Sequence, residues 1–198
     1  MKLYGNAASP FARKCRVIAH ELNIKLEEVR TLPMQEPEFR KLNPLGKIPA
    51  LLLDDGSVLI DSPVICEYLN YSGGGKFFPG VSVWKQKTGH WKALGLQALG
   101  DGIADAAVAF IILGRENPVP ETARLRQMET VLAALDALER VKFAAEPTIG
   151  EVTVACALGY LEFRLPDLDW KATRPNLSAW YATFSERPSM KATVAAAP

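Results

Sequence analysis

Apolar positions change their spacing several times in the first 80 residues, and each change marks an element. Lys2 to Gly5 is a short strand candidate around Leu3, ended by glycine. Phe11, Cys15, Ile18 and Leu22 then recur on one helical face, which Ser9 opens as a favoured N-cap and Pro10 as a tolerated first residue. Leu26 to Arg30 alternates as a strand does, and a loop through Pro33 leads to a short helix that stops before Asn43-Pro44. Ala50 to Leu53 and Val58 to Ile60 flank Asp54-Asp55-Gly56, which predicts an antiparallel hairpin. Ser62-Pro63 repeats the cap-plus-proline signature, and Ile65, Tyr68 and Leu69 form the stripe of a further helix that Ser72-Gly73-Gly74-Gly75 stops.

The order strand-helix-strand-helix-strand-strand-helix, with a right-handed crossover between parallel strands and a closing hairpin, is thioredoxin-like. After Phe77-Phe78-Pro79-Gly80 the strand signals end. Helical periodicity runs from about Val83 to Arg115, Glu121 to Val141 and Val152 to Leu165, and a last helix follows Pro175. The pattern predicts an α/β thioredoxin-like N-terminal domain over residues 1–80 and an all-α C-terminal helical domain over residues 81–198.

Composition narrows the functional classes. An apolar content of 48% in 198 residues supports two packed cores and excludes a disordered chain. The 23 basic and 22 acidic side chains nearly cancel, so no net field draws the chain to nucleic acid or anionic lipid, and small molecules or proteins are the expected partners. Cys15, Cys66 and Cys156 lie far apart with no Cys-x-x-Cys pair, which suits a reducing compartment and offers neither a disulfide framework nor a metal site. The N-terminus has no continuous apolar stretch and no segment is read as a membrane span, so a cytoplasmic protein is expected.

Three segments carry candidate chemistry. The N-terminus of the Ser9 helix offers unpaired N–H groups and the positive end of a helix dipole, which favour an adjacent anion such as a thiolate. A serine hydroxyl aimed at that sulfur bonds the charged form better than the neutral one. A free thiol of pKa ~8.5 is only a few per cent ionised at neutral pH; lowering it by about two units, roughly 2.7 kcal/mol, makes the thiolate predominant. The competing reading is that Ser9 is only a helix cap. In Asn43 to Leu51, a proline at the head of a hairpin strand is explained by a cis Ile48-Pro49 bond that turns the Ile48 N–H and C=O outward to pair with an extended peptide, or by a plain edge-strand proline. Asp61-Ser62 starts the next helix, where aspartate can take an ammonium and the hydroxyl and backbone N–H a carboxylate; alone, the pair is just a cap.

Together, Ser9-Pro10-Phe11-Ala12-Arg13-Lys14, Asn43 to Leu51 and Asp61 to Leu69 resemble the N-terminal domain of cytosolic glutathione S-transferases, in that family's order and spacing. Thr148-Ile149-Gly150-Glu151 resembles the capping box before the family's core helix, and Arg174-Pro175-Asn176-Leu177 with Arg187-Pro188-Ser189 its closing segment. Asp101 to Ala106 is similar to a bacterial subgroup. The resemblance implies a homodimer that uses glutathione as co-substrate without a metal. Ser9 matches the activating hydroxyl, Ile48 the residue whose backbone pairs with the cysteinyl part of glutathione, Pro49 the cis-proline, and Asp61 and Ser62 the grip on the γ-glutamyl end. Lys47 is expected to reach the glycyl carboxylate. A hydrophobic electrophile is expected against Phe11, Phe110 and Leu113.

The departures are Asp61 where many members carry Glu or Gln, and Glu151 where Asp is common. Serine at position 9, where the thiol-transferring branch has cysteine, points to conjugation or peroxide reduction in a detoxification role, since a hydroxyl forms no mixed disulfide. The alternative is a non-catalytic scaffold or stress-response binding protein on the same fold. Buried, inert positions are expected for the three cysteines, a buried face for Trp84 and Trp91, a structural or exposed place for His90, and a solvated helix face for Arg13, Lys14 and Arg16.

Overall fold

A computed structural model describes residues 1–80 and 88–197. The described residues form two compact units, the first holding positions up to 80 together with those from 188 onward, the second Thr88–Arg187. In the first unit the strands β1 (Lys2–Gly5), β2 (Glu27–Arg30), β3 (Ala50–Leu52) and β4 (Val58–Leu59) form one sheet in the order β2-β1-β3-β4. β1 pairs with β2 in parallel, while β3 is antiparallel to both β1 and β4. Helices α1 (Pro10–Glu21) and α3 (Ser62–Ser72) pack against one another, and the short α2 (Phe39–Leu42) leads into β3. Leu3, Ala12, Cys15, Ile18, Leu51, Ile65 and Leu69 are buried as their periodicity predicts.

The second unit is helical throughout: α4 (Thr88–Leu113), α5 (Glu121–Leu138), α6 (Ile149–Arg164) and α7 (Pro175–Ser185). Every residue of α6 from Ile149 to Leu161 is buried, as an all-round apolar helix requires. A side chain at Gly150 would put its Cβ 2.7 Å from that of Leu96, so glycine there lets α4 and α6 approach closely. The start of α6 carries the expected capping box: the Thr148 hydroxyl accepts from the Gly150 N–H at 3.1 Å, and the Glu151 carboxylate accepts from the Thr148 N–H at 2.9 Å. Glu151 also accepts from the Ala144 N–H at 3.1 Å, tying the preceding loop to the cap. Glu139, just past α5, serves as cap for a different helix: its carboxylate accepts from the N–H groups of Asn176 at 3.0 Å and Leu177 at 2.8 Å in the first turn of α7.

Several expectations are corrected. A last short helix, α8 (Pro188–Ala192), has no periodicity to announce it, and it packs on α1, so the residues after Arg187 belong with the first unit and not with the helical one. Arg13 and Lys14 are therefore not on a solvated face: they are 5% and 1% exposed, and Arg13 donates to the Met190 carbonyl of α8 at 3.2 Å. Ser189 donates to Glu21 at 2.6 Å beside it. Arg16 is half-buried and pairs with Glu28 of β2 at 2.9 Å. Trp91 is 67% exposed where a buried face was expected; Trp84 and the expected helix start at Val83 lie outside the described residues. Contrary to the sequence reading, α4 is long and apolar enough to cross a membrane, with a mean hydropathy of 1.6 over its most apolar stretch. Ala93, Ile103, Ala104, Ala107 and Phe110 of that helix are buried, in a helix packed against α5 and α6.

Candidate functional site

Sheet register brings the three chemical segments to one edge. Tyr4 pairs with Ala50 and Leu51 with Leu59, so the end of β1, the start of β3 and the end of β4 lie at the same side of the sheet. From that edge emerge the turn to Ser9, the Ile48-Pro49 turn and the Asp61-Ser62 start of α3. The N-termini of α1 and α3 are thus both presented there, each adding positive partial charge.

Ser9 is the N-cap of α1, in extended conformation, with its Oγ accepting from the Ala12 N–H at 3.2 Å. The cap does not exhaust the hydroxyl: it uses one acceptor lone pair and leaves the O–H free to donate. Capping and thiolate activation are therefore compatible roles. Ser9 is partly exposed, as a ligand-facing group must be.

The Ile48–Pro49 peptide is cis, and the Ile48 N–H and C=O have no backbone partner among the described residues. The loop before it is organised by Asn43, 1% exposed, which sequence reading treats only as a helix breaker. Its side chain donates to the Lys47 carbonyl at 2.6 Å and accepts from the Leu45 N–H at 3.0 Å. Gly46 completes the turn at a φ of 61°, where a side chain would also meet the Arg40 guanidinium at 2.7 Å. The signal that could have found Asn43's role is local: asparagine before proline and glycine is the residue whose side chain bonds the backbone two residues on. Lys47 itself is exposed.

Asp61 is the N-cap residue of α3 but its carboxylate makes no capping bond, and it is exposed. Ser62 is 3% exposed, and its hydroxyl bonds to no described residue. The carbonyl of Ser62 lies 3.9 Å from the Cys15 sulfur, which is 3.7 Å from that of Cys66. Neither cysteine forms a disulfide and both are fully buried, as Cys156 nearly is, so none offers an accessible thiolate in place of the Ser9 hydroxyl. No cluster of metal-ligating side chains occurs among the described residues.

A cavity of about 290 Å³ opens elsewhere in the first unit, between α1 and β2, with Asn6, Arg16, Glu28, Arg30 and Ala197 in its lining. It holds none of Ser9, Ile48, Asp61 or Ser62, so its size does not make it the site. Of the expected electrophile contacts, Phe11 is half-buried on α1 of the first unit, while Phe110 is buried and Leu113 half-buried on α4 of the second.

Comparison with known proteins decides the family. Residues 8–71 match the glutathione S-transferase N-terminal domain and residues 121–183 the C-terminal domain. The uncharacterized GST-like protein YibF of Escherichia coli is 31% identical over 98% of both chains. The chain belongs to the glutathione S-transferase family. Among solved structures, this transferase is similar to a family member from Pseudomonas fluorescens with bound glutathione, at 38% identity, a TM-score of 0.89 and 99% of each chain covered. A Methylobacillus flagellatus glutathione S-transferase with glutathione bound is 36% identical, at a TM-score of 0.89, over 98% of this chain and 99% of that one. The N-terminal match spans every residue placed on the sheet edge, from Ser9 to Ser62, and so covers the whole candidate site.

Proposed function

We propose that the protein binds glutathione at this sheet edge, ionises its thiol and transfers the sulfur to an electrophilic small molecule. The observation that carries the reading is the convergence of two helix N-termini, the unpaired Ile48 backbone and the Ser9 hydroxyl on one edge of the sheet. Extended along Ile48, the cysteinyl segment of glutathione pairs with the free N–H and C=O as an added strand. The γ-glutamyl end meets Asp61 with its ammonium and the Ser62 hydroxyl and α3 N-terminus with its carboxylate; Lys47 takes the glycyl carboxylate. The sulfur then lies by Ser9, whose O–H stabilises the thiolate while the thiol proton passes to solvent.

The thiolate attacks an electrophilic small molecule, for which Phe11 on α1 offers apolar surface in the same unit, and the same anion serves peroxide reduction. Pairing of two copies, expected of this family, would cover exposed apolar side chains such as Tyr71 and Trp91, 85% and 67% exposed. A reducing cytoplasm and a detoxification role fit a site built around a free thiol. The structure of the Pseudomonas fluorescens family member has also been solved with S-(propanoic acid)-glutathione, so acidic electrophiles belong beside neutral ones in any screen of substrates. The test is retention on immobilised glutathione followed by conjugation and peroxidase assays. Retention with turnover is expected; retention with no turnover of any electrophile or peroxide makes the protein a glutathione-binding scaffold.

A further inference from the structure

β1 ends at Gly5 and α1 begins at Pro10, so Asn6, Ala7, Ala8 and Ser9 carry the chain from sheet to helix and end on the Ser9 hydroxyl. The helix side of that hydroxyl is fixed by packing. A Cβ at Gly5 would lie 2.8 Å from that of Ala12, so the first turn of α1 rests directly on the end of β1. The turn side depends on Asn6, because the two alanines have no side-chain hydrogen-bonding group and Pro10 has no N–H.

Asn6 uses its backbone and both ends of its amide. Its C=O accepts from the Ser9 N–H at 3.2 Å, which closes the turn over Ala7 and Ala8. Its Oδ1 accepts from the Ala8 N–H at 3.1 Å, the side-chain turn that asparagine favours. Its Nδ2 donates to the Thr31 carbonyl at 3.0 Å. Thr31, just past β2, is a firm anchor: it is 1% exposed, its N–H donates to the Gly5 carbonyl at 2.8 Å and its hydroxyl to the Val29 carbonyl at 3.1 Å. One amide thus ties the turn that ends on Ser9 to the edge of the sheet, and all of these groups belong to one unit.

The two bonds of the Ser9 hydroxyl depend on that tie differently. The cap bond to the Ala12 N–H lies within α1 and moves with it. A bond to a ligand held by other segments weakens steeply when the hydroxyl shifts or tilts. We propose that Asn6 is a positioning residue for the reaction, setting the Ser9 hydroxyl against the sulfur of a glutathione held by Ile48, Asp61 and Ser62. The proposal rests on the transferase reading and adds what holds its activating group in place.

The test is a double-mutant cycle on the full chain, with the thiol pKa of bound glutathione read from thiolate absorbance against pH. Asn6→Ala should raise that pKa by about 0.5–1 unit, less than Ser9→Gly does, and at a pH below the parent's value should slow conjugation of a chlorodinitrobenzene about three- to ten-fold at saturating glutathione. Glutathione affinity at about pH 5.5, where the thiol is protonated in parent and variant alike, should stay within about two-fold. Asn6→Ser, whose hydroxyl can accept from the Ala8 N–H, should restore part of the shift. On the Ser9→Gly background, Asn6→Ala should move the pKa by no more than about 0.2 unit, because the hydroxyl it positions is gone. A pKa unmoved by Asn6→Ala, or a shift of equal size with and without the Ser9 hydroxyl, overturns the proposal and leaves the transferase reading standing. If the alanine variant does not fold, the same cycle with Asn6→Ser decides by the same outcomes. A parent whose bound glutathione ionises as the free thiol does overturns both.

Discussion

Replacing Ser9 by glycine separates its two roles, because glycine caps a helix nearly as well as serine but has no hydroxyl. The cap bond, 3.2 Å from Oγ to the Ala12 N–H, contributes about 1 kcal/mol relative to alanine and only a few tenths relative to glycine. The second role is larger. A hydrogen bond to a charged partner contributes about 1.5–3 kcal/mol, which at 1.36 kcal/mol per unit moves the thiol pKa of bound glutathione by about one to two units. Loss of the donor raises that pKa, so below it the ionised fraction falls by about ten- to a hundred-fold. Titrating the thiolate absorbance of the glutathione complex against pH measures the shift, and urea unfolding of the same variant measures the cap. The expected outcome is a raised thiol pKa with stability within about 0.5 kcal/mol of the parent, and Ser9→Ala losing both. Part of the thiolate stabilisation survives in the glycine variant, since the α1 dipole and backbone donors remain. An unchanged pKa in the glycine variant refutes the activating role and leaves Ser9 a cap.

Thr148→Ala should lower unfolding stability by about 0.5–2 kcal/mol in urea titrations while glutathione affinity stays at the parent value, because it removes only the α6 cap. Asp61 is exposed, so Asp61→Ala should weaken glutathione by about two- to five-fold in calorimetry, and Asp61→Lys by more; parental affinity in both excludes Asp61 from the γ-glutamyl contact. The Glu139 carboxyl feels desolvation, the largest single influence, which pushes its pKa up, but the N–H groups of Leu177 and Asn176, the Asn176 amide and Arg174 together hold it below its ordinary 4.5. A depressed folded pKa means that the stabilisation is present above the unfolded value and is lost as pH falls through the folded one. Thermal unfolding of the parent should therefore lose stability between about pH 4.5 and the folded pKa, and Glu139→Gln should lose less over that interval.

Local signals explain what was legible. Ser9-Pro10 and Thr148 to Glu151 announce helix starts because a cap and its partner lie within one turn, and Asp54 to Gly56 announces a hairpin by a similarly local signal; Ser62-Pro63 marks the start of α3 through its proline, but the cap position is Asp61, not Ser62, and carries no capping bond. Of the candidate site, Ser9, Asp61 and Ser62 stand at helix starts, which is why the pattern singles them out, while Ile48-Pro49 stands out through a proline at the head of a strand. What stayed hidden depends on distant partners. The burial of Arg13 requires Met190, and the capping of α7 requires Glu139, 38 residues before Leu177. The exposure of Trp91 was hidden for a related reason, since helical spacing says which residues share a face but not what that face meets.

The return of the C-terminal segment to α1 has a consequence for how the protein is made and handled. Arg13 finds its carbonyl at Met190, 177 positions later, and the Ala196 N–H bonds to the Ala7 carbonyl at 3.3 Å in the turn that leads to Ser9. During synthesis, the strands of the first unit thus emerge before the helical unit, but that unit is completed only after the helical one. Expressed alone, residues 1–80 would lack the α8 face of their own core and the bond from Ala196 to Ala7.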